Sequence, residues 1–294
     1  MSLDSLRSTA IATVALSVAT LAQAAGLPLP EMSPAVRRES GRLSFELLPK
    51  SFQKNPQLEM TVVCEMTDAG RALPLATPEH PVYYVGMNSG FVQRGQAAGE
   101  HTPDANYLGH VLERALHANG FLPASNVNRP TQALFFLWGA HGAMDYDLRN
   151  MFPQKDDQEL LERAMLVGGR SFRQSLDRRL AYGDGPLDHS DKKDFLTTQA
   201  SGDLYFVVVS AYDVAALARK ERRLLWRANL TVSSVGVAMI DSLPALVLTG
   251  SPYFGRDMSE SEILFRHVKR GVVELGPSKV LGIEPATSPT PNSK

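Results

Sequence analysis

DLYFVVVSAYD, Asp203 to Asp213, is the stretch from which the fold is read. Its apolar residues run almost without interruption and valines fill its middle. A strand of that kind has no face to spare for water, so it belongs at the centre of a sheet. The next strand is LLWRANLTVS. Leu224, Trp226, Ala228, Leu230 and Val232 alternate there with Leu225, Arg227, Asn229, Thr231 and Ser233, which predicts a half-buried strand with one wet face. Only VAALARKER and its flanks join the two, so they are expected to pair antiparallel.

Upstream, Asp147 to Gly202 is charged and mostly helical, with Gly168-Gly169 breaking the pattern in LVGGRSF. Before it, ALFFLWG is a strand. HTPDANYLGHVLERALHANG is a helix with Thr102 as N-cap, Pro103 at its first position and Gly120 at its end. Tyr107, Leu108, Val111, Leu112, Ala115 and Leu116 form its apolar stripe. VYYVGM (Val82 to Met87) is a further strand. Strand, helix and strand at this spacing suggest a βαβ unit, with antiparallel pairing as the alternative. RLSFELL and LEMTVVCEM alternate as strands. Downstream, DSLPALVLTG is a helix capped by Asp241 or Ser242, and EILFRHVKRGVVELG reads as a hairpin around Arg270-Gly271. The expected architecture is one α/β (α+β-like) domain over about 42–282. A mixed sheet is packed by helices at 102–119 and 240–250, with a helical insertion at about 147–200.

Outside that domain, the first residues have the layout of a cleavable secretory signal. Arg7 precedes an apolar run from about Ala10 to Ala22, then Ala22-Gln23-Ala24. The run is short beside the ~20 residues of a bilayer span. The expected division is a signal over 1–24, a flexible leader over 25–41 and a disordered tail over 283–294 rich in Pro, Ser and Thr. The protein is therefore expected to be exported, periplasmic or extracellular, with no transmembrane span in the mature chain. Thirty Lys+Arg against 31 Asp+Glu leave no global charge to draw it to nucleic acid. The single cysteine, Cys64, sits in an alternating strand with no adjacent cation, which reads as a buried thiol and not a nucleophile.

Several of these segments resemble exported bacterial proteins of unknown function. They are LLPKSFQKNPQLEMTVVCEMTDAGR, PVYYV, ANGFLPA, LWGAH and LLWRANLTVSS with DSLPALVLTGSPYFGR. The likeness covers most of the mature chain and implies no activity. In order of elements the chain is loosely similar to small envelope lipoprotein domains that act as accessory or docking modules. It departs from them in lacking a lipobox cysteine and in its helical insertion.

Two candidate sites stand out. The first is His141, in WGAHG with Asp145 and Asp147 beyond. A nucleophile–base pair or a metal would use His141 and Asp145, but there is no G-x-S-x-G elbow and no H-E-x-x-H. The plainer reading has Gly139 and Gly142 turning the chain and His141 at the sheet edge. The second is the basic turn Arg219, Lys220, Arg222 and Arg223 beside Trp226, which could bind an anionic glycan, lipid headgroup or nucleic acid but reads more simply as a solvated hairpin end with Trp226 in the core. The aspartates of GDGPLDHSDKKD lack the calcium-loop spacing and read as a solvated loop. No cofactor or metal is expected. The chain is expected to be a non-enzymatic accessory or binding protein of the cell envelope, with an envelope protein or surface as partner. The alternative is a hydrolase or metal-dependent enzyme using His141 and Asp145.

Overall fold

The computed structural model of the chain describes residues 50, 53, 55–94, 102–142, 153–183 and 190–268. The signal, leader and tail, the strand RLSFELL and the second arm of the hairpin all lie outside these residues. Within them one mixed sheet is formed by β1 (Gln57–Met66), β2 (Val82–Arg94), β3 (Phe121–Pro123), β4 (Gln132–His141), β5 (Leu204–Asp213), β6 (Leu224–Ser233) and β7 (Glu262–His267). Its helices are α1 (Asp68–Arg71), α2 (Ala105–Ala118), α3 (Pro153–Tyr182), α4 (Asp191–Ser201), α5 (Val214–Ala218) and α6 (Met239–Gly250). The strand order is β3-β2-β4-β5-β6-β1-β7. The valine-rich β5 is the middle strand, antiparallel to β4 and β6. β2 runs parallel to both β3 and β4, so the strand–helix–strand reading gives parallel pairs.

One face of the sheet packs against α2 and α6. Leu108, Val111, Leu112, Ala115 and Leu116 of α2 join Leu134, Val207, Val209, Leu230 and Val62 in one buried core. Burying each of the larger side chains is worth roughly 1.5–3 kcal/mol. α2 starts two residues later than its sequence suggests. Asp104, not Thr102, is its cap, and its side chain accepts from Asn106 N. Gly120 ends it at φ 81, where a Cβ would lie 2.3 Å from the Thr77 carbonyl carbon. α6 likewise begins after Ala238 with no side-chain cap, so neither Asp241 nor Ser242 takes that role. Ser242 is instead buried inside the helix and donates to Ala238 O.

The other face carries the helical insertion, which is the sheet's second cover. Leu160, Ala164 and Val167 of α3, with Phe172, Leu176, and Leu196 and Ala200 of α4, pack on Leu204 and Phe206. α3 bends at Gly169, whose φ of 71 and ψ of −165 are non-helical. This cover corrects the expected wet face of β6. Asn229 and Thr231 are buried beneath the helices, paired with other polar groups instead of water. Asn229 Nδ2 donates to Met165 O at 3.0 Å, and Thr231 Oγ1 lies 3.3 Å from Gln199 Oε1. The last part of the expected solvated loop is mostly exposed but helical, while its residues 184–189 lie outside the described residues. Asp191 and Asp194 form the first turn of α4, capped by Ser190 Oγ accepting from Lys193 N.

Candidate functional site

β4 leads into WGAHG without turning. Gly139 lies within the strand, and a Cβ there would fall 1.7 Å from Val92 O. The glycine therefore serves the close approach of β2, not a turn. The strand continues to His141, which is 2% exposed. The surface-edge reading of His141 is overturned: α3 crosses above it and brings Arg163 down onto its ring.

Arg163 is fully buried. It sits at position i+3 of the stripe Leu160, Arg163, Ala164, Val167, so its stem follows the apolar face of α3. Its Nη1 donates to His141 Nδ1 at 2.9 Å and also to Gly142 O. Its Nε donates to Ala200 O and its Nη2 to Gly202 O. The guanidinium thus joins the end of β4 to the C-terminus of α4, where helix carbonyls favour a cation. Glu159 and Asp203 supply opposing charge, while burial pulls the arginine's pKa down. A guanidinium has only donors, so His141 Nδ1 accepts and the proton of the neutral ring sits on Nε2. Nε2 has no hydrogen-bond partner among the described residues. Burial first, then the Arg163 charge, lower the His141 pKa and hold the ring neutral. An imidazole faced by an arginine is a poor base and a poor ligand for a cation. Asp145 lies outside the described residues. Among the described residues, no group of three or more His, Cys, Asp and Glu is placed to hold a metal ion.

Cys64 is buried in β1 as expected, and burial pushes its thiol up to about 12. The Trp226 ring is buried between Phe121 and Phe254, with ring centroids at 5.7 and 6.0 Å. Its Nε1 donates to Gln132 Oε1 at 3.1 Å. It is a core residue, separate from the basic turn that precedes it.

That turn is partly neutralised. Arg219 pairs with Glu221 at 3.1 Å and Arg223 with Asp213 at 3.8 Å. Lys220 and Arg222 are exposed and have no ion pair among the described residues. Next to the turn, the α3 face of the sheet is only partly covered by the described residues, with Ser210 buried in its middle. The register places Met87, Phe135, Ser210, Arg227 and Glu65 in one row across β2, β4, β5, β6 and β1. Met87 is 38% exposed. Phe135, Tyr212 and Arg227 are half-buried. Phe135 meets Tyr212 edge to face at 5.4 Å, and Arg227 Nε donates to Ser210 Oγ at 3.1 Å. Glu65 is taken by Arg170 at 3.1 Å. Sequence reading missed this row because it depends on register. Sequence reading missed Arg163 too, although a charge on the apolar stripe of Leu160, Ala164 and Val167 is the signal that marks it.

Comparison of the sequence with protein-family models and with curated proteins gives no match.

Proposed function

We propose that the protein is an exported component of the cell envelope with a non-enzymatic, binding role. Its contact surface is the end of the sheet that carries Lys220, Arg222 and Arg227. The observation that supports this reading most is the half-open row from Met87 to Arg227 beside two exposed cations that have no ion pair among the described residues. Central strands of a mixed sheet are ordinarily covered, and an open apolar patch with a polar rim is a common mark of an interaction surface. Among the described residues no helix is long and apolar enough to cross a membrane. Export rests on the Ala22-Gln23-Ala24 pattern. The rival hydrolase or metal-dependent centre at His141 and Asp145 draws no support from the surroundings of His141, whose Nδ1 is taken by the Arg163 guanidinium and whose ring is buried.

The test has two parts. Mass spectrometry of protein from the native cell should find a mature N-terminus close to Ala25; recovery of the intact Met1 form in the cytoplasm defeats export. The mature protein should also capture specific components from envelope extracts, and a Lys220→Glu, Arg222→Glu double variant of unchanged melting temperature should capture less. Equal capture by the two proteins removes the basic end as the contact surface.

A further inference from the structure

The half-open row has a definite length and chemistry. From β2 to β6 it crosses three inter-strand spacings, roughly 14 Å, the reach of about four to five extended residues. Met87, Phe135 and Tyr212 make its apolar half. Arg227 makes the other half, held at Nε by Ser210. One boundary is the Glu65–Arg170 pair between β1 and α3, and another is the Asn229–Met165 contact under α3. The basic turn closes the remaining end, three residues along β6 from Arg227.

The charges around this shelf are unequal. Its carboxylates have cations of their own: Asp213 has Arg223, Glu221 has Arg219 and Glu65 has Arg170. Lys220, Arg222 and Arg227 have no ion pair among the described residues. What fits is a chain with apolar side chains at one end and carboxylates at the other. Three cations fall short of the roughly 4–8 that mark recognition of an anionic lipid surface. The near-neutral chain provides no wider field for a polyanion.

We infer that the shelf of Met87, Phe135, Tyr212 and Arg227 binds a short, extended, acidic segment of a partner protein, with apolar side chains on Met87 and Phe135 and carboxylates on Arg227 and the basic turn. The inference rests on the binding reading and adds the chemistry of the partner.

It is tested by fluorescence anisotropy with the full mature chain. The probe is a labelled peptide of about nine residues with Phe and Leu at one end and Glu at the other, long enough to span the shelf. A second peptide carries Lys in place of each Glu, and phosphatidylglycerol vesicles serve as the non-protein anion. The acidic peptide should bind saturably and weaken about tenfold with Arg227→Glu or with Met87→Asp. Binding should also weaken between about 50 and about 500 mM salt. Arg222 is exposed, so loss of binding by Arg222→Glu at an unchanged melting temperature guards against misfolding of the Arg227 variant. The lysine peptide should not bind. The inference is overturned if the acidic peptide does not bind, if the variants bind it unchanged, or if the lysine peptide binds equally. It is also overturned if the vesicles bind through the same residues and the peptide does not. Failure here together with charge-dependent capture from envelope extracts would discard the acidic segment and keep the binding role.

Discussion

Arg163 Nη1 donates to His141 Nδ1 at 2.9 Å, so the histidine that the sequence offers as a catalytic candidate is one half of a buried lock. The other contacts of the guanidinium reach Gly142, Ala200 and Gly202, which ties β4 to the end of α4. The lock accounts for a buried charge and a buried imidazole without chemistry at either.

The lock has a pH signature. Burial and Arg163 lower the His141 pKa in the folded protein, while the unfolded value stays near ~6.5. Below that value the unfolded chain takes up a proton that the folded chain resists. Stability from this group is therefore complete above about pH 6.5 and is lost as pH falls toward the folded pKa. Urea midpoints at about pH 8 and about pH 5.5 should differ more for the wild type than for His141→Gln, since the other titrating groups are common to both. Equal differences for the two proteins would show that His141 titrates as a solvated residue. The same burial raises the cost of His141→Ala to about 2–3 kcal/mol, from lost packing and a lost hydrogen bond, above the cost of a surface turn.

Arg163→Leu removes the donors and keeps the stem. It leaves the carbonyls of Gly142, Ala200 and Gly202 without this partner. The expected loss is about 3–5 kcal/mol, as for other buried charges whose partners are left behind. Arg163→Lys should recover little of it, because an ammonium cannot present the same fork. Denaturant unfolding of the two variants measures both losses. A lysine variant as stable as the wild type would mean that charge alone, and not the fork, makes the lock.

Trp226 and Arg222 are four residues apart in sequence and opposite in role. Trp226→Ala should cost about 3–5 kcal/mol, given its burial between two aromatic rings. Arg222→Ala should leave the melting temperature nearly unchanged, as an exposed residue with no ion pair among those described. A red-shifted, readily quenched Trp226 emission, with Trp138 replaced by Phe, would place the ring in water and reverse the assignment.

Much of the architecture is legible in local pattern. The valines of Asp203–Asp213 demand cover on both faces, and β5 is the middle strand. The short connector gives the antiparallel β5–β6 pair, and Gly169 gives the bend in α3. What alternation hides is the partner of a polar residue. Asn229 and Thr231 look wet in sequence, yet under the helices the Met165 carbonyl takes the Asn229 Nδ2 donor and Gln199 meets the Thr231 hydroxyl. His141 between glycines looks like a turn because sequence does not show that Gly139 makes room for the backbone of β2. The Met87–Arg227 row joins residues from four strands and exists only once the register is set.

The central claim is that the protein works through this row and its basic end, and that His141 is structural. Photo-crosslinking in the envelope tests it most directly, with the crosslinker placed in turn at Met87, at Arg222 and at Glu113 on the exposed side of α2. The account predicts a discrete adduct from the first two positions and none from Glu113, and the Arg222 adduct should be lost when Met87→Asp is added. Adducts equal at all three positions, or an Arg222 adduct indifferent to Met87→Asp, would contradict it.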